Sequence, residues 1–208
     1  MIIGCREKDA LRLALDALRR DEVFVYPTDT LYGFGGNAAS ENVLQEIYRI
    51  KQRPAHMPVS ILVQSPEMLG RWAVMADITR KIAEAFLPGA LTLVLPALNT
   101  GLPERLYSEG GFLGFRIPDH SFCAAMLKHF GAPVVTTSVN ISGHPVMNSV
   151  RDIEETFKKE VDLFVSDPAL DEMQTPVGST IVKVTASGEL ILLREGVIPF
   201  SSINTLLR

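Results

Sequence analysis

The sequence predicts an α/β fold in which helices pack on a twisted, mixed β-sheet. Short apolar runs alternate with longer segments whose apolar residues recur at helical spacing. Near the C-terminus two such runs lie close together, as in a hairpin, so the strands are not expected to be all parallel. The apolar fraction of 47% and the mean hydropathy of +0.18 indicate a packed globule, and we expect a single domain over residues 1–208.

The first two helices are predicted by amphipathic periodicity. Residues 7–20 bring leucines at i, i+4 and i+7 onto one face. Residues 40–53 begin at Ser40, a residue type that caps helix N-termini, and their apolar side chains also share a face. Both helices therefore have one side suited to packing on a sheet.

The remaining elements follow from the same signals. Pro88-Gly89 ends one helix, and Gly131 ends another. The polar, proline-bearing segment 166–178 predicts a mobile loop rather than a domain boundary. In chain order, strands are predicted at 23–26, 58–63, 90–96, 111–118, 132–140, 179–184 and 189–194, and further helices at 77–87, 120–130, 150–159 and 201–208.

Charge and cysteine usage restrict the class of protein. Twenty basic against 24 acidic residues give a net charge of −4, whereas proteins that bind mainly a nucleic-acid backbone are usually basic. Cys5 and Cys123 belong to no metal-binding or redox motif and are expected to be reduced thiols in or near the core. The apolar runs are much shorter than a membrane span, and no signal-like leader is visible. We expect a soluble, cytoplasmic protein.

Two stretches carry polar residues where an apolar element ends. In VFVYPTDTLYGFGG, residues 23–36, a buried strand is followed by hydroxyls such as that of Thr30, by Tyr32 and by glycines that permit close backbone approach. A turn built by structural threonines is the alternative. In KQRP, Lys51 and Arg53 suit a clamp on phosphates, although cations at a helix C-terminus also suit the helix dipole.

Four further positions extend this pattern. Arg116 closes a strand and suits a carboxylate or phosphate. The run TTSVNISG, residues 136–143, ends another strand in hydroxyls and an amide, Ser179 and Thr180 begin a later strand, and Arg194 closes the last one. Since open α/β sheets bind ligands in crevices at strand ends, we expect these turns to meet at one cleft.

Several common active-site motifs are missing. The sequence has no GxxxxGK[ST] loop, no GxGxxG before a helix and no GxSxG elbow. Its four histidines, His56, His120, His129 and His144, are not paired at metal-ligand spacing, so no protein-held metal ion is expected. The hydroxyl groups, glycines and cations described above are suited to binding an anionic, hydroxylated substrate. The sequence contains no obvious nucleophile.

The segments YPTDTLYGFGG, KQRP, FRIPDH, TTSVNISG, GSTIVKV and LLREG occur in the order found in the YrdC/Sua5 family, and the chain resembles its short, single-domain form over roughly residues 10–200. The resemblance implies a YrdC/RibB-like twisted mixed sheet with a ligand cleft at strand ends. It implies synthesis of threonylcarbamoyl-AMP from L-threonine, bicarbonate or CO2, and ATP with Mg2+, for the N6-threonylcarbamoyl modification of adenosine 37 in tRNA. The implied partners are these substrates, the complex that transfers the threonylcarbamoyl group, and tRNA or double-stranded RNA; no membrane is implied.

The resemblance also implies roles for individual residues. Lys51, Arg53 and Arg116 match the family's catalytic cations. Threonine contacts are implied at Thr30, Tyr32, Arg116, Ser138, Ser179 and Thr180. ATP contacts are implied at Lys51, Arg53, Asn140, Ser142, Asn148 and Arg194.

The chain departs from the family pattern at three positions, the mildest of which is Ala90 in place of the second proline of a Pro-Gly-Pro-x-Thr segment. Leu62 stands where many members have a histidine, and Val139 replaces the alanine of a Ser-Ala-Asn triplet. Because YciO-like paralogues share the fold, a YciO-like protein is one alternative function, and a tRNA- or double-stranded-RNA-binding protein is another. The intact pairs Lys51-x-Arg53 and Ser138-x-Asn140 favour the synthase.

Overall fold

The computed structural model describes residues 1–55, 57–98 and 101–206, and its strands form one ten-stranded sheet. The strands are β1 Ile2–Gly4, β2 Phe24–Pro27, β3 Tyr32–Asn37, β4 Ser60–Leu62, β5 Leu91–Pro96, β6 Phe112–Arg116, β7 Val134–Ser138, β8 Phe164–Ser166, β9 Thr180–Val184 and β10 Leu190–Arg194. The helices are α1 Ala10–Arg19, α2 Glu41–Ile50, α3 Pro66–Trp72, α4 Asp77–Phe86, α5 Ser121–Phe130, α6 Val150–Phe157, α7 Pro168–Asp171 and α8 Phe200–Thr205.

The sheet mixes parallel and antiparallel ladders, as the sequence predicts. Its strand order is β1-β8-β2-β3-β7-β4-β6-β5-β9-β10. The pairs β1/β8, β8/β2, β4/β6 and β5/β9 are parallel, and the others are antiparallel. The predicted mixed α/β class is therefore confirmed.

Helices cover the two faces of the sheet unequally. The larger buried cluster lies on one face and takes side chains from α2, α3, α4, α6 and α8. The smaller cluster joins α1 and α5 to side chains of β2, β4, β7 and β8 on the other face. On that second face the buried contacts of α1 and α5 reach as far as Val134 in β7 and Leu62 in β4, and the part that helices leave uncovered becomes important below.

Several residues predicted to begin or end helices do so in the structure. The Ser40 side chain accepts a hydrogen bond from Val43 N and caps α2, as expected for a serine N-cap. Gly131 ends α5 in the left-handed conformation, with φ of 74°. The C-terminal helix is found at Phe200–Thr205, and the last residues of its predicted range, 207–208, lie outside the described residues.

The glycine-rich segment after residue 31 is a strand, whereas the sequence predicted a polar turn. Cross-strand pairing sets Tyr26 opposite Gly33 and Phe24 opposite Gly35. A Cβ atom added at Gly35 would lie 2.4 Å from Cε1 of Tyr26. The glycines thus make room for an aromatic ring that lies across a central strand, and their φ angles are not the positive ones of a turn.

Several short elements were not predicted. The strands at Ile2–Gly4 and Phe164–Ser166 pair with each other at one side of the sheet, and the helix Pro66–Trp72 begins at the Ser65 cap. Segment 166–178, predicted as a mobile loop, contains the helix Pro168–Asp171. Elements of three to seven residues carry too little periodicity to be recognised from the sequence.

The expectations about membrane-spanning helices and about the two cysteines can be compared with the structure. Within the described ranges, none of the helices combines the length and the apolar character required to cross a bilayer. Both cysteines are free thiols: Cys123 is buried and Cys5 is partly buried.

Substituting Gly35 by alanine is expected to destabilise the protein by about 1–3 kcal/mol, because the new methyl group overlaps the Tyr26 ring within a packed layer. Urea unfolding measures the difference. The matched control is Gly70→Ala in α3, where the nearest atom to an added Cβ is Met75 Cγ at 3.7 Å; it should gain up to about 1 kcal/mol from helix propensity. Equal stability of Gly35→Ala and wild type would contradict the packing described.

Candidate active site

The part of the sheet face that helices leave uncovered forms a polar cavity of about 170 Å³. Hydroxyl groups and three guanidinium groups dominate its lining. It lies along the face of the sheet, rather than only in a cleft at strand ends. Its lining residues are Thr28, Thr30, Leu31, Tyr32, Gly33, Arg53, Pro58, Val59, Ser60, Thr92, Arg116, Thr136, Thr137, Ser138, Gly178, Ser179, Ile181 and Arg194.

Ladder register explains why residues from distant segments meet here. Directly opposed residues in a sheet share a face, and Thr136 is paired with Gly35 on one side and with Ser60 on the other. Ser60 is in turn paired with Gly114, two residues before Arg116. One row of glycines and hydroxyl side chains therefore crosses the sheet, and Arg116 lies two residues further along β6 on the same face.

The turn between β2 and β3 closes one end of the cavity. Thr28 Oγ1 donates to Leu31 O at 2.7 Å and accepts from the backbone N–H groups of Thr30 and Leu31 at 3.1 Å. Thr28 therefore builds the turn, as in the structural alternative considered for this stretch. Thr30 Oγ1 instead faces Arg116 at 2.8 Å, so the same turn also places a hydroxyl in the cavity.

Arg116 occupies the centre of the site and is almost fully buried. Its Nη2 donates to Asp29 Oδ1 at 2.6 Å, its Nη1 to Thr30 Oγ1, and its Nε to Gly89 O at 3.3 Å. The ion pair with Asp29 compensates part of its charge and fixes the plane of the guanidinium group. A guanidinium held in this way is preorganised to bind a carboxylate or phosphate.

Arg194 and Arg53 bring further positive charge to the same cavity. Arg194 donates from Nη2 and Nε to Ser179 O, at 2.8 and 3.2 Å, and Ser179 Oγ lies 2.8 Å from Thr92 Oγ1. Burial, together with the charge of Arg116, holds the pKa of Arg194 below its usual value. Arg53 is held by the carbonyls of Met57 and Pro58. Clustered guanidinium groups of this kind favour an anion between them.

Lys51 lies beneath this site instead of lining it, and its side chain is part of a buried layer. Its Nζ donates to Ser138 O, to Asn140 O at 2.9 Å and to Asn140 Oδ1 at 3.0 Å, while its own carbonyl accepts from Ser142 N at 2.8 Å. All three ammonium protons are thus used within the protein. The direct contact with ATP phosphates predicted from the sequence does not fit this arrangement, in which Lys51 holds the 138–142 turn.

Other predicted contacts also face away from the cavity, for reasons of strand alternation. Because Gly33 faces the cavity, the Tyr32 side chain points to the opposite layer, where its hydroxyl group bonds to Asp167 and Asp171. Thr180 likewise points away and accepts from the backbone N–H groups of Gly196 and Ile198. Among the lining residues, Tyr32 therefore contributes only its backbone.

The amide side chains predicted on the nucleotide side have structural partners. Asn140 Oδ1 accepts from Ser138 Oγ at 2.8 Å, and its amide group donates to carbonyls of its own turn. Asn148 donates to Met173 O. The buried Oγ of Ser142 has no partner among the described residues. None of these three side chains belongs to the lining of the described cavity.

The sequence analysis did not assign three residues that shape the site. Ser60 and Thr92 each interrupt an apolar strand and face the cavity, and Asp29 pairs with Arg116. A single polar residue within an otherwise apolar strand was the available signal for the first two. Leu62, which replaces the family histidine, is packed in the smaller hydrophobic cluster.

Comparisons with known proteins identify the family and agree with the fold. The Sua5/YciO/YrdC family model, described as "Telomere recombination", matches residues 16–196. The chain belongs to the Sua5/YciO/YrdC family. A relative from Methanocaldococcus jannaschii is 33% identical over 196 residues, which cover 94% of this chain and 90% of the relative. A protein of Pyrococcus abyssi named threonylcarbamoyl-AMP synthase is 30% identical over 98% of this chain, which spans 59% of that family member.

Solved structures of Sua5/YciO/YrdC family members share the fold. Pyrococcus abyssi Sua5 complexed with L-threonine superposes with a TM-score of 0.90 at 29% identity, covering 100% of this chain and 61% of that chain. Escherichia coli YciO gives a TM-score of 0.85 at 22% identity over 98% of this chain and 97% of that chain, which establishes the likeness of the fold alone.

The buried position of Lys51 makes stability depend on pH. Burial and the charge of Arg53 lower the pKa of Lys51 to about 7 from 10.5, so the unfolded chain binds more protons between these values. The contribution of this side chain to stability is complete above about pH 10.5 and is lost as pH falls to about 7. The difference in unfolding free energy between wild type and Lys51→Met should therefore rise by about 2 kcal/mol from pH 7 to pH 9.

Urea unfolding at several pH values measures this difference. Lys158→Met is the control, since Lys158 lies on the surface with its side chain 51% exposed and pairs with Glu155. A pH-independent difference for Lys51→Met would show that the folded state does not perturb this ammonium group.

Proposed function

We propose that this protein is a threonylcarbamoyl-AMP synthase, a nucleotidyltransferase that forms threonylcarbamoyl-AMP and pyrophosphate from L-threonine, bicarbonate or CO2, and ATP. The observation that carries the proposal is one cavity in which Arg53, Arg116 and Arg194 meet a row of hydroxyl groups. Its support from relatives is the name of the Pyrococcus abyssi protein and the L-threonine complex of a structurally similar chain.

The proposed chemistry requires no covalent enzyme intermediate. The neutral amine of threonine adds to CO2 and loses a proton to solvent, which gives a carbamate. The carbamate oxygen then attacks the α-phosphorus of ATP while pyrophosphate leaves. The carbamate and the triphosphate are both anionic, so the main barriers of this second step are bringing the anions together and stabilising charge on the phosphates. Fixed guanidinium groups and hydroxyl donors lower both barriers by positioning and electrostatic stabilisation.

The geometry favours a division of the cavity between the two substrates. On the threonine side we place Arg116, held by Asp29, with Thr30, Ser138 and Ser179 as hydroxyl partners. On the ATP side we place Arg53 and Arg194, which approach the cavity from a loop and from the outermost strand. Lys51, Asn140, Ser142, Asn148, Tyr32 and Thr180 would then act by holding the surrounding backbone.

Mg2+ would enter as part of the substrate MgATP. The residues that line the described cavity include no carboxylate, and the nearby Asp29 is committed to Arg116. The donors that a hard cation prefers are oxygens, which the phosphates of ATP supply. The proposed role of the chain is therefore to bind the phosphates, and that of the metal ion is to neutralise part of their charge.

The proposed product determines the downstream partners. A mixed anhydride of a carbamate and AMP is reactive, so it must pass to an enzyme that transfers the threonylcarbamoyl group to tRNA. We place this step in the cytoplasm, where ATP and tRNA meet. Direct binding of tRNA or double-stranded RNA by this chain is a separate proposal, tested by whether retention of RNA weakens steeply with salt.

Pyrophosphate release is expected only when ATP, L-threonine and bicarbonate are present together, because the carbamate is the nucleophile. A coupled pyrophosphate assay with each substrate omitted in turn measures this dependence. Release without threonine, or equal release with a panel of other amino acids, would contradict the proposal and favour a YciO-like activity.

The two sides of the cavity are expected to separate kinetically. Arg116→Lys should raise the KM for threonine by about 10-fold or more, and Arg194→Ala should raise the KM for ATP similarly, since a hydrogen bond to a charged group contributes about 1.5–3 kcal/mol. Arg12→Ala, on the exposed face of α1, is the control and should change neither. If Arg116→Lys instead raised the KM for ATP and Arg194→Ala raised the KM for threonine, the two substrates would occupy the cavity the other way round.

A further inference from the structure

A second polar cluster lies outside the cavity, where three chain segments converge. Cys5 follows β1, Asp167 follows β8, and His120 precedes α5. Because β1 and β8 are parallel neighbours, their carboxyl ends lie side by side, and Cys5 N donates to Ser166 O at 2.8 Å. This ladder fixes the thiol beside the carboxylate, while α5 brings the imidazole to the same point.

The three side chains are close enough to share one cation. One ligand atom from each of Cys5, His120 and Asp167 lies within 4.8 Å of the others. His120 Nε2 and Asp167 Oδ2 are 3.0 Å apart, and both side chains are nearly buried. In a tetrahedral zinc site, bonds of about 2.0–2.3 Å separate the ligand atoms by about 3.3–3.8 Å. Shifts of about 1 Å or less therefore convert the cluster into three corners of a tetrahedron.

The surroundings orient one ligand and leave another adjustable. Asp167 Oδ1 accepts from Ala169 N at 3.0 Å, which holds the carboxylate while Oδ2 faces the imidazole. The Nδ1 atom of His120 is buried and has no partner among the described residues, so the ring is held through Nε2 alone. The ring can thus make the small movement that coordination needs.

We propose that Cys5, His120 and Asp167 form a site for Zn2+ or a similar thiophilic divalent cation, with water as the fourth ligand. A mixed sulfur, nitrogen and oxygen set suits zinc, whereas Mg2+ prefers oxygen ligands alone. On binding, the cation replaces the thiol proton of Cys5, which leaves to solvent, and the imidazole proton moves from Nε2 to Nδ1. The site would join β1, β8 and α5, independently of the substrates of the cavity.

Cobalt substitution tests the site without nucleotide or substrate. Untagged protein is freed of metal by dialysis against a chelator and titrated with CoCl2, then with ZnCl2. We expect one Co2+ to bind per chain. The absorption spectrum should show bands in the visible range with the intensity typical of tetrahedral Co2+, and a thiolate-to-cobalt charge-transfer band in the near ultraviolet. All these bands should disappear when Zn2+ displaces the cobalt. Absence of stoichiometric binding would overturn the proposal and leave a hydrogen-bonded cluster only.

Variants identify the ligands. Cys5→Ser should abolish the thiolate band and weaken Co2+ binding by at least about 10-fold, and His120→Gln should weaken binding similarly while the fold is retained in circular dichroism. Cys123→Ala is the matched control, because Cys123 Sγ donates to Pro27 O instead of joining the cluster, and its spectrum should equal that of wild type. A thiolate band that persists in Cys5→Ser would overturn the assignment, and since no activity is measured, the result is independent of the proposed synthase function.

Discussion

The alternation of side chains along each strand is the constraint on which the site depends. The ladder registers place the pairs Gly33–Ser138 and Thr136–Ser60, together with Arg116, on a single face of the sheet. Where α1 and α5 cover that face, the same rows hold Phe24, Tyr26 and Leu62, and the contact is apolar. A change of side-chain character along shared rows, and not a separate loop architecture, divides the core from the cavity.

Much of the architecture was predictable from the sequence, because long amphipathic helices and apolar strands carry strong periodic signals. The mixed sheet followed from the hairpin-like pairs. Polar residues near strand ends pointed to Thr30, Arg116, Ser138, Ser179 and Arg194, and the cations after a helix pointed to Arg53; all six line the cavity. The glycine strand could not be recognised, since its reason for glycine is the Tyr26 ring on a neighbouring strand. The orientation of the Tyr32 and Thr180 side chains could not be predicted either, because it depends on which face of the sheet meets solvent.

Lys51 belongs to the KQRP motif but does not line the described cavity. In the sequence it forms a cationic pair with Arg53, yet the structure separates them: one ammonium group supports the backbone of residues 138–142, and one guanidinium group lines the cavity. The turn it supports carries Ser138, whose hydroxyl group is in turn aligned by Asn140. We therefore expect the shape of the cavity to depend on buried Lys51 in the layer behind it.

The position of β10 at the edge of the sheet has a consequence for dynamics. This strand pairs only with β9, and Leu193 at its outer side is 53% exposed, so its amide protons should exchange sooner than those of the central strands. Arg194 sits at its end, whereas Arg116 is anchored nearer the middle of the sheet. We therefore expect an anion that contacts both guanidinium groups to reduce fraying of this edge, at a cost to its own binding free energy.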